Sequence, residues 1–156
     1  MVEKDAVIES QHYKGLAWVA SMALFMQSLD ATILNTALPT IATDLQTPVF
    51  EMQMAIIAYS LAVALFIPLT AWAAAKFGTL TVFRSAVFTF VFGSVACAMA
   101  TSLETLVLAR ILQGIGGAFM MPVARLAIIQ TVPKNQLINA WNLMATAGLI
   151  GPILRS

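Results

Sequence analysis

Residues 15–38 read GLAWVASMALFMQSLDATILNTAL, and the fold follows from how that stretch is read. It is long and apolar enough to cross a bilayer, for which ~20 residues suffice. It is too long for the apolar core of a secretory signal, and no A-x-A cleavage site follows at a suitable distance. Asp30 stands inside it. A charge at mid-bilayer costs roughly 3 kcal/mol even on the lenient insertion scale, so it faces a protein interior or a watery path. Arg110 stands inside a second apolar stretch further along. Opposite charges on two such segments can answer each other, which suits the interior of a transporter better than a simple anchor.

Composition agrees. Of 156 residues, 60% are hydrophobic and 10% charged, with mean hydropathy +0.89. Soluble domains carry about 25% charged residues, so the solvent for this chain is lipid. A net charge of +1 gives no nucleic-acid footprint. The one cysteine, Cys97, excludes an intramolecular disulfide, and reads as a small packing residue. His12, the one histidine, lies in the polar N-terminal stretch. The sequence therefore implies no metal site and no cofactor. Without a nucleophile–base pair or paired carboxylates, it does not read as an enzyme.

The expected class is an all-α membrane protein. Residues 1–14 form a polar tail. A five-helix transmembrane region spans 15–154, with helices at about 15–38, 51–73, 82–100, 105–128 and 137–154. Pro68 is an expected kink, and Pro122 lies late in the fourth helix, both tolerated where neighbours re-satisfy the backbone. With the N-terminus in the cytoplasm, Lys4, Lys14, Lys76, Arg84, Arg125 and Lys134 all fall in or beside cytoplasmic segments. The opposite loops hold only Asp44, Glu51 and Glu104. That asymmetry satisfies the positive-inside rule and predicts a multi-pass protein with a cytoplasmic N-terminus.

At 100° per residue, the first helix carries Ser21, Ser28, Thr32, Asn35 and Thr36 on one side, and Gln27 with Asp30 on the other,. A lipid-facing helix is not polar on two sides, so this one is central. Taken alone, its hydroxyls and Asn35 read as ordinary interhelical hydrogen bonds, each worth ~0.6 kcal/mol. In the fourth helix, Arg110, Gln113, Gly114, Gly117 and Met121 share one face,. The glycines admit a second backbone while the Arg and Gln present donors beside that contact. Gly114, Gly116 and Gly117 are not a phosphate loop, since no strand precedes them and no Lys-Ser/Thr follows. The fifth helix has Asn139, Asn142 and Thr146 on one side and the small-residue pair Ala147 and Gly151, ending at Pro152.

These residues resemble a family. Leu29-Asp30-Ala31-Thr32-Ile33-Leu34-Asn35-Thr36-Ala37-Leu38-Pro39 looks like the first-helix motif of the fourteen-helix drug:proton antiporters in the major facilitator superfamily. Ala109-Arg110-Ile111-Leu112-Gln113-Gly114-Ile115-Gly116-Gly117-Ala118 resembles the superfamily's fourth-helix motif. Gly151-Pro152, with Ala147 where a glycine is usual, resembles the start of the antiporter motif on the fifth helix. The likeness implies proton coupling through Asp30 and Arg110. It implies a substrate cavity lined by Asn35, Gln113 and Asn142, and a packing motif made by Gly114, Gly117, Ala147, Gly151 and Pro152. It also implies a bacterial inner membrane and an amphipathic small-molecule substrate exchanged for protons.

The departures matter too. The loop after the second helix usually reads like G-x-L-A-D-R-x-G-R-R; here Ala75 replaces the acid, and Leu80 and Thr81 stand at two basic positions. Charges there latch the two halves of such a transporter in one state, so gating here would rest on other contacts. After Pro152 the sequence gives Ile153-Leu154-Arg155-Ser156 in place of further glycines. A frameshift, an artificial junction or a natural truncation would each explain that. Superfamily transporters bind substrate between two six-helix halves. The chain is accordingly expected to be an incomplete N-terminal half of a major facilitator fold, a truncated proton-coupled exporter unable to transport alone. The competing expectation is a small non-transporting membrane protein that acts by helix–helix association, for instance with a second half-transporter.

Overall fold

In the computed structural model, the described residues are 2–132, 134, 137–139, 141–142 and 145–146, with the backbone alone for 2–14 and 131. They are almost wholly helical. The elements are α1 (Val2–Asp44), α2 (Val49–Phe66), α3 (Leu69–Phe77), α4 (Thr79–Ala98) and α5 (Leu103–Thr131). Among the described residues four helices are long and apolar enough to span a membrane: Gly15–Asp44, Val49–Phe66, Thr79–Ala98 and Leu103–Gln130. A fifth helix expected at 137–154 lies largely outside the described residues; 137–139, 141–142 and 145–146 are helical.

The helix boundaries are set by packing as much as by breakers. α1 includes the backbone of residues 2–14, expected only as a polar tail, and runs through Pro39 to Asp44 instead of stopping at Leu38. Proline removes one backbone bond, but Leu38 and Ala42 are buried against Met52, Ala55 and Leu106, which holds the last turns helical. At Pro68 the backbone bonding is interrupted between α2 and α3, while Ile67 (φ −51°, ψ −46°) and Pro68 (φ −62°, ψ −25°) keep helical dihedrals, as a proline kink requires. Thr70 repairs the break, since its N–H and its hydroxyl both donate to Ile67 O, at 3.1 and 2.7 Å. α4 starts at Thr79, three residues earlier than expected, because one residue suffices for the turn: Gly78, at φ 86° and ψ 141°. That backbone region is almost closed to side chains. Ser102 caps α5 in a reciprocal box with Thr105,.

Two apolar clusters mark the ends of the bundle. One gathers Leu34, Leu38, Met52, Ala55 and Leu106. The other gathers Ala20, Leu24, Phe83, Phe90, Met120 and Ile128. α1, α4 and α5 each reach both clusters, with Cys97 of α4 packed on the first. α5 is the most buried span, packing most extensively on α4 and α2. Glycine makes these contacts close. A Cβ on Gly114 would stand 2.7 Å from Tyr59 O of α2, and one on Gly116 would stand 2.6 Å from Phe90 N of α4.

Candidate functional site

The polar cluster lies between those two apolar ends. Arg110 Nη1 of α5 donates to Asp30 Oδ2 of α1 at 2.8 Å. Gln113 Nε2, one turn along α5, donates to Asp30 Oδ1 at 2.9 Å. Both carboxylate oxygens are therefore held by one helix, as the i, i+3 spacing of Arg110 and Gln113 allows. Gln113 is fully buried, and its Oε1 accepts from the Cys97 thiol of α4 at 3.7 Å. Arg110 is buried as well, and its Nε has no partner among the described residues. A buried donor left unpaired costs about 1–3 kcal/mol, so the guanidinium is held at some expense.

One turn before Asp30 a second contact continues the seam. Gln27 Nε2 donates to Tyr59 Oη of α2 at 3.3 Å and lies 3.5 Å from Gly117 O of α5. A Cβ on Gly117 would meet Tyr59 Oη at 2.9 Å and Gln27 Nε2 at 3.2 Å, so only glycine leaves room for this arrangement. Sequence reasoning singled out Gln27 and Gly117 but not Tyr59. The available signal was a hydroxyl-bearing aromatic in an otherwise apolar helix.

The seam of α1 on α5 has a cavity on each side. One, of ≈ 310 Å³, is bordered by Asp30 and Arg110 and by Ser94 and Cys97 of α4. Its α1 wall runs from Asp30 through Ile33 and Ala37 to Ile41, toward the end that bears Asp44, Glu51 and Glu104. The other, of ≈ 400 Å³, is lined by Gln27, Ser28, Met121, Arg125 and Trp141. The largest groove, ≈ 600 Å³ between Gly15–Val19 and Leu80–Val91, is almost entirely apolar with Arg84 at its edge. It has no convergent polar groups of the kind that orient a ligand.

Asn35, Gln113 and Asn142 are the residues expected at a substrate cavity. Asn35 and Asn142 are exposed, while Gln113 has no accessible surface. Its Nε2 makes it a holder of Asp30. Gly114 and Gly117 make the close approaches expected of them. Ala147, Gly151 and Pro152 lie outside the described residues. The loop that departs from the family pattern is a helix end, in which Lys76 Nζ stacks over Trp72 at 4.8 Å from the ring centroid. Thr79 Oγ1 donates to Gln130 Oε1 of α5 at 2.8 Å, a neutral tie across that end. Among the described residues no group of three His, Cys, Asp or Glu could hold a metal ion.

Comparison with known proteins matches residues 20–155 to the model of the Major Facilitator Superfamily. The "Probable transport protein HsrA" of Haemophilus influenzae is 85% identical over 94% of this chain and 32% of its own length. The "Putative multidrug resistance protein MdtD" of Salmonella typhi is 44% identical over 88% of this chain and 29% of its own length. The protein of that same name in Yersinia pestis is also 44% identical, over 30% of its own length. The chain thus spans about a third of the length of these relatives.

Proposed function

The chain belongs to the Major Facilitator Superfamily, and from that premise we propose that it supplies the proton-coupling helices of a small-molecule exporter. It is a membrane protein of a transporter family, and its similarity is to transport proteins rather than enzymes. The finer reading is that the full-length protein exchanges an amphipathic substrate for protons, from a bacterial inner membrane with its N-terminus in the cytoplasm.

The observation that carries this reading is the Asp30–Arg110–Gln113 cluster. An acid whose two oxygens are occupied by a buried guanidinium and a buried amide changes partners when it takes a proton. Protonated, it has one hydroxyl to donate and attracts the Arg110 cation less. The carboxylate state favours α1 drawn onto α5; the neutral state favours its release. The ≈ 310 Å³ cavity that borders Asp30 and Arg110 gives a proton a way to the acid from the side of the acidic loops. Transport needs a second half for this one to rock against, so the activity belongs to the longer protein.

The test uses a chimera in which residues 1–156 replace the matching third of the Haemophilus influenzae relative. Everted vesicles would be assayed for uptake of a fluorescent amphipathic dye, with and without a protonophore. Proton-driven uptake is expected from the chimera and is lost with Asp30→Asn. Undiminished proton-driven uptake in that variant would remove Asp30 from the mechanism.

A further inference from the structure

Among the described residues, no acidic side chain pairs with the cation that lines the second cavity. Arg125 Cζ lies 5.7 Å from the centroid of the Trp141 ring. Both side chains line the ≈ 400 Å³ cavity, together with Leu24, Gln27 and Ser28 of α1 and Met121 of α5. Four acidic side chains are described, Asp30, Asp44, Glu51 and Glu104, and each is otherwise placed. Asp30 is held by Arg110 and Gln113. Asp44, Glu51 and Glu104 flank the loops at the far end of the bundle, with Met52 and Leu106 packed together there. Glu3, Asp5 and Glu9 lie in the first turns of α1.

A cation near the inner end of a span ordinarily extends to the headgroups. Arg125 is exposed, yet it stands over an aromatic face in the wall of a cavity that α1 also borders. There it offers a planar fork of donors suited to a carboxylate or sulfonate. Trp141 offers a ring to stack on, Met121 a polarisable thioether that favours aromatic edges, and Gln27 and Ser28 polar atoms at the opposite wall. A positive group in the ligand would meet Arg125 as a like charge.

We propose that this cavity is a binding subsite for a planar aromatic anion, its acidic group on Arg125 and its ring against Trp141 and Met121. The proposal rests on the exporter reading and narrows its substrate class from amphipathic molecules in general to aromatic acids. It also separates the two tasks in space, with the proton site on one side of the α1–α5 seam and the ligand on the other.

The experiment is a binding measurement on the chain itself, reconstituted in phosphatidylcholine nanodiscs. Trp18→Phe and Trp72→Phe leave Trp141 as the reporter. Naphthalene-2-sulfonate and its cationic isostere 2-naphthylmethylammonium are titrated against its emission. Saturable quenching by the sulfonate is expected, at an affinity at least about tenfold above that of the ammonium. Arg125→Gln should weaken the sulfonate by about tenfold or more, while Arg125→Lys retains part of the preference because the charge remains. Ser28→Asp keeps Arg125 and adds an acid to the wall, and it should reverse the preference between the isosteres. That variant decides the matter if Arg125→Gln does not insert. Equal affinities for the two probes, unchanged binding in Arg125→Gln, or non-saturating partition into the bilayer would each overturn the proposal. Loss of sulfonate binding on adding phosphatidylglycerol would overturn it in favour of a lipid headgroup. Binding is read without transport, so a chimera that lacks proton-driven uptake and a cavity that fails to hold the sulfonate are separate outcomes.

Discussion

Arg110→Met tests the central ion pair, because it leaves Asp30 buried with its charge uncompensated. The Arg110 and Asp30 side chains are 6% and 15% exposed, and the bond between them is 2.8 Å. Removing one partner of such a pair costs about 3–5 kcal/mol, whereas removing both charges together is often nearly neutral. Asp30 would retain Gln113 at 2.9 Å and the cavity beside it, so the low end applies, about 3 kcal/mol. Neutral hydrogen bonds between membrane helices average only ~0.6 kcal/mol, and the two accounts are therefore separable. Asp30→Asn should cost a similar ~3 kcal/mol, since Arg110 then lacks its counter-charge. In the double variant the amide introduced on α1 can still accept from Gln113, and the total cost should fall at least ~3 kcal/mol below the sum of the singles. The assay is SDS-driven unfolding of the chain in bicelles, followed by far-UV circular dichroism. Single costs that add to within ~0.5 kcal/mol of the double would mean the two groups are uncoupled, and the ion pair would cease to explain why charges lie inside these spans.

Two further substitutions probe the scaffold by the same unfolding measurement. Gly116→Val forces atoms into the α4 backbone, where even a Cβ would lie 2.6 Å from Phe90 N; it should cost more than ~3 kcal/mol as α4 and α5 separate. Gly15→Val, with nothing within 4 Å of its Cβ position, is the control and should stay within ~1 kcal/mol. Gly78→Ala puts a side chain where φ is +86° and should cost about 1–3 kcal/mol, even though there is open space around it.

Much of this was legible from apolar run lengths and from two misplaced charges. The runs gave the spans, and opposite signs on two of them gave the pairing of Asp30 with Arg110. Helical spacing also put Gln113 on the face of Arg110. Spacing fixes a face, however, and says nothing of how closely the facing helix seals it; that seal sets Gln113 against the acid as one of its holders. The same gap explains α1. Proline at position 39 is a local stop signal, while the burial of Leu38 and Ala42 that overrides it comes from residues of α2 and α5. The packing roles of Gly93 and Gly116 were not legible for a related reason. Their role comes from backbones meeting across the α4–α5 seam, where a Cβ on Gly93 would lie 2.8 Å from Gln113 Cα. Tyr59 acquires a partner only when α2 is laid beside α1.

The arrangement constrains how any coupling in the full-length protein could work. Asp30 and Gln27 are neighbours on one face of α1, at i and i−3, and both contact α5. Asp30 borders one cavity and Gln27 the other. With the ligand in the second cavity, as proposed above, proton and ligand would not share one carboxylate, since Asp30 borders only the first. Under that proposal the route left for coupling is mechanical. Loss of the Asp30 charge loosens the hold of Arg110 and Gln113, α1 shifts against α5, and Gln27 moves relative to Tyr59 and Gly117 at the wall of the second cavity. Gly117, whose Cβ position would lie 3.2 Å from Gln27 Nε2, presents bare backbone to α1 at that point of the seam. The coupling is also reciprocal by linkage: a ligand that favours one position of α1 must alter proton affinity at Asp30 by the same factor that the proton alters ligand affinity.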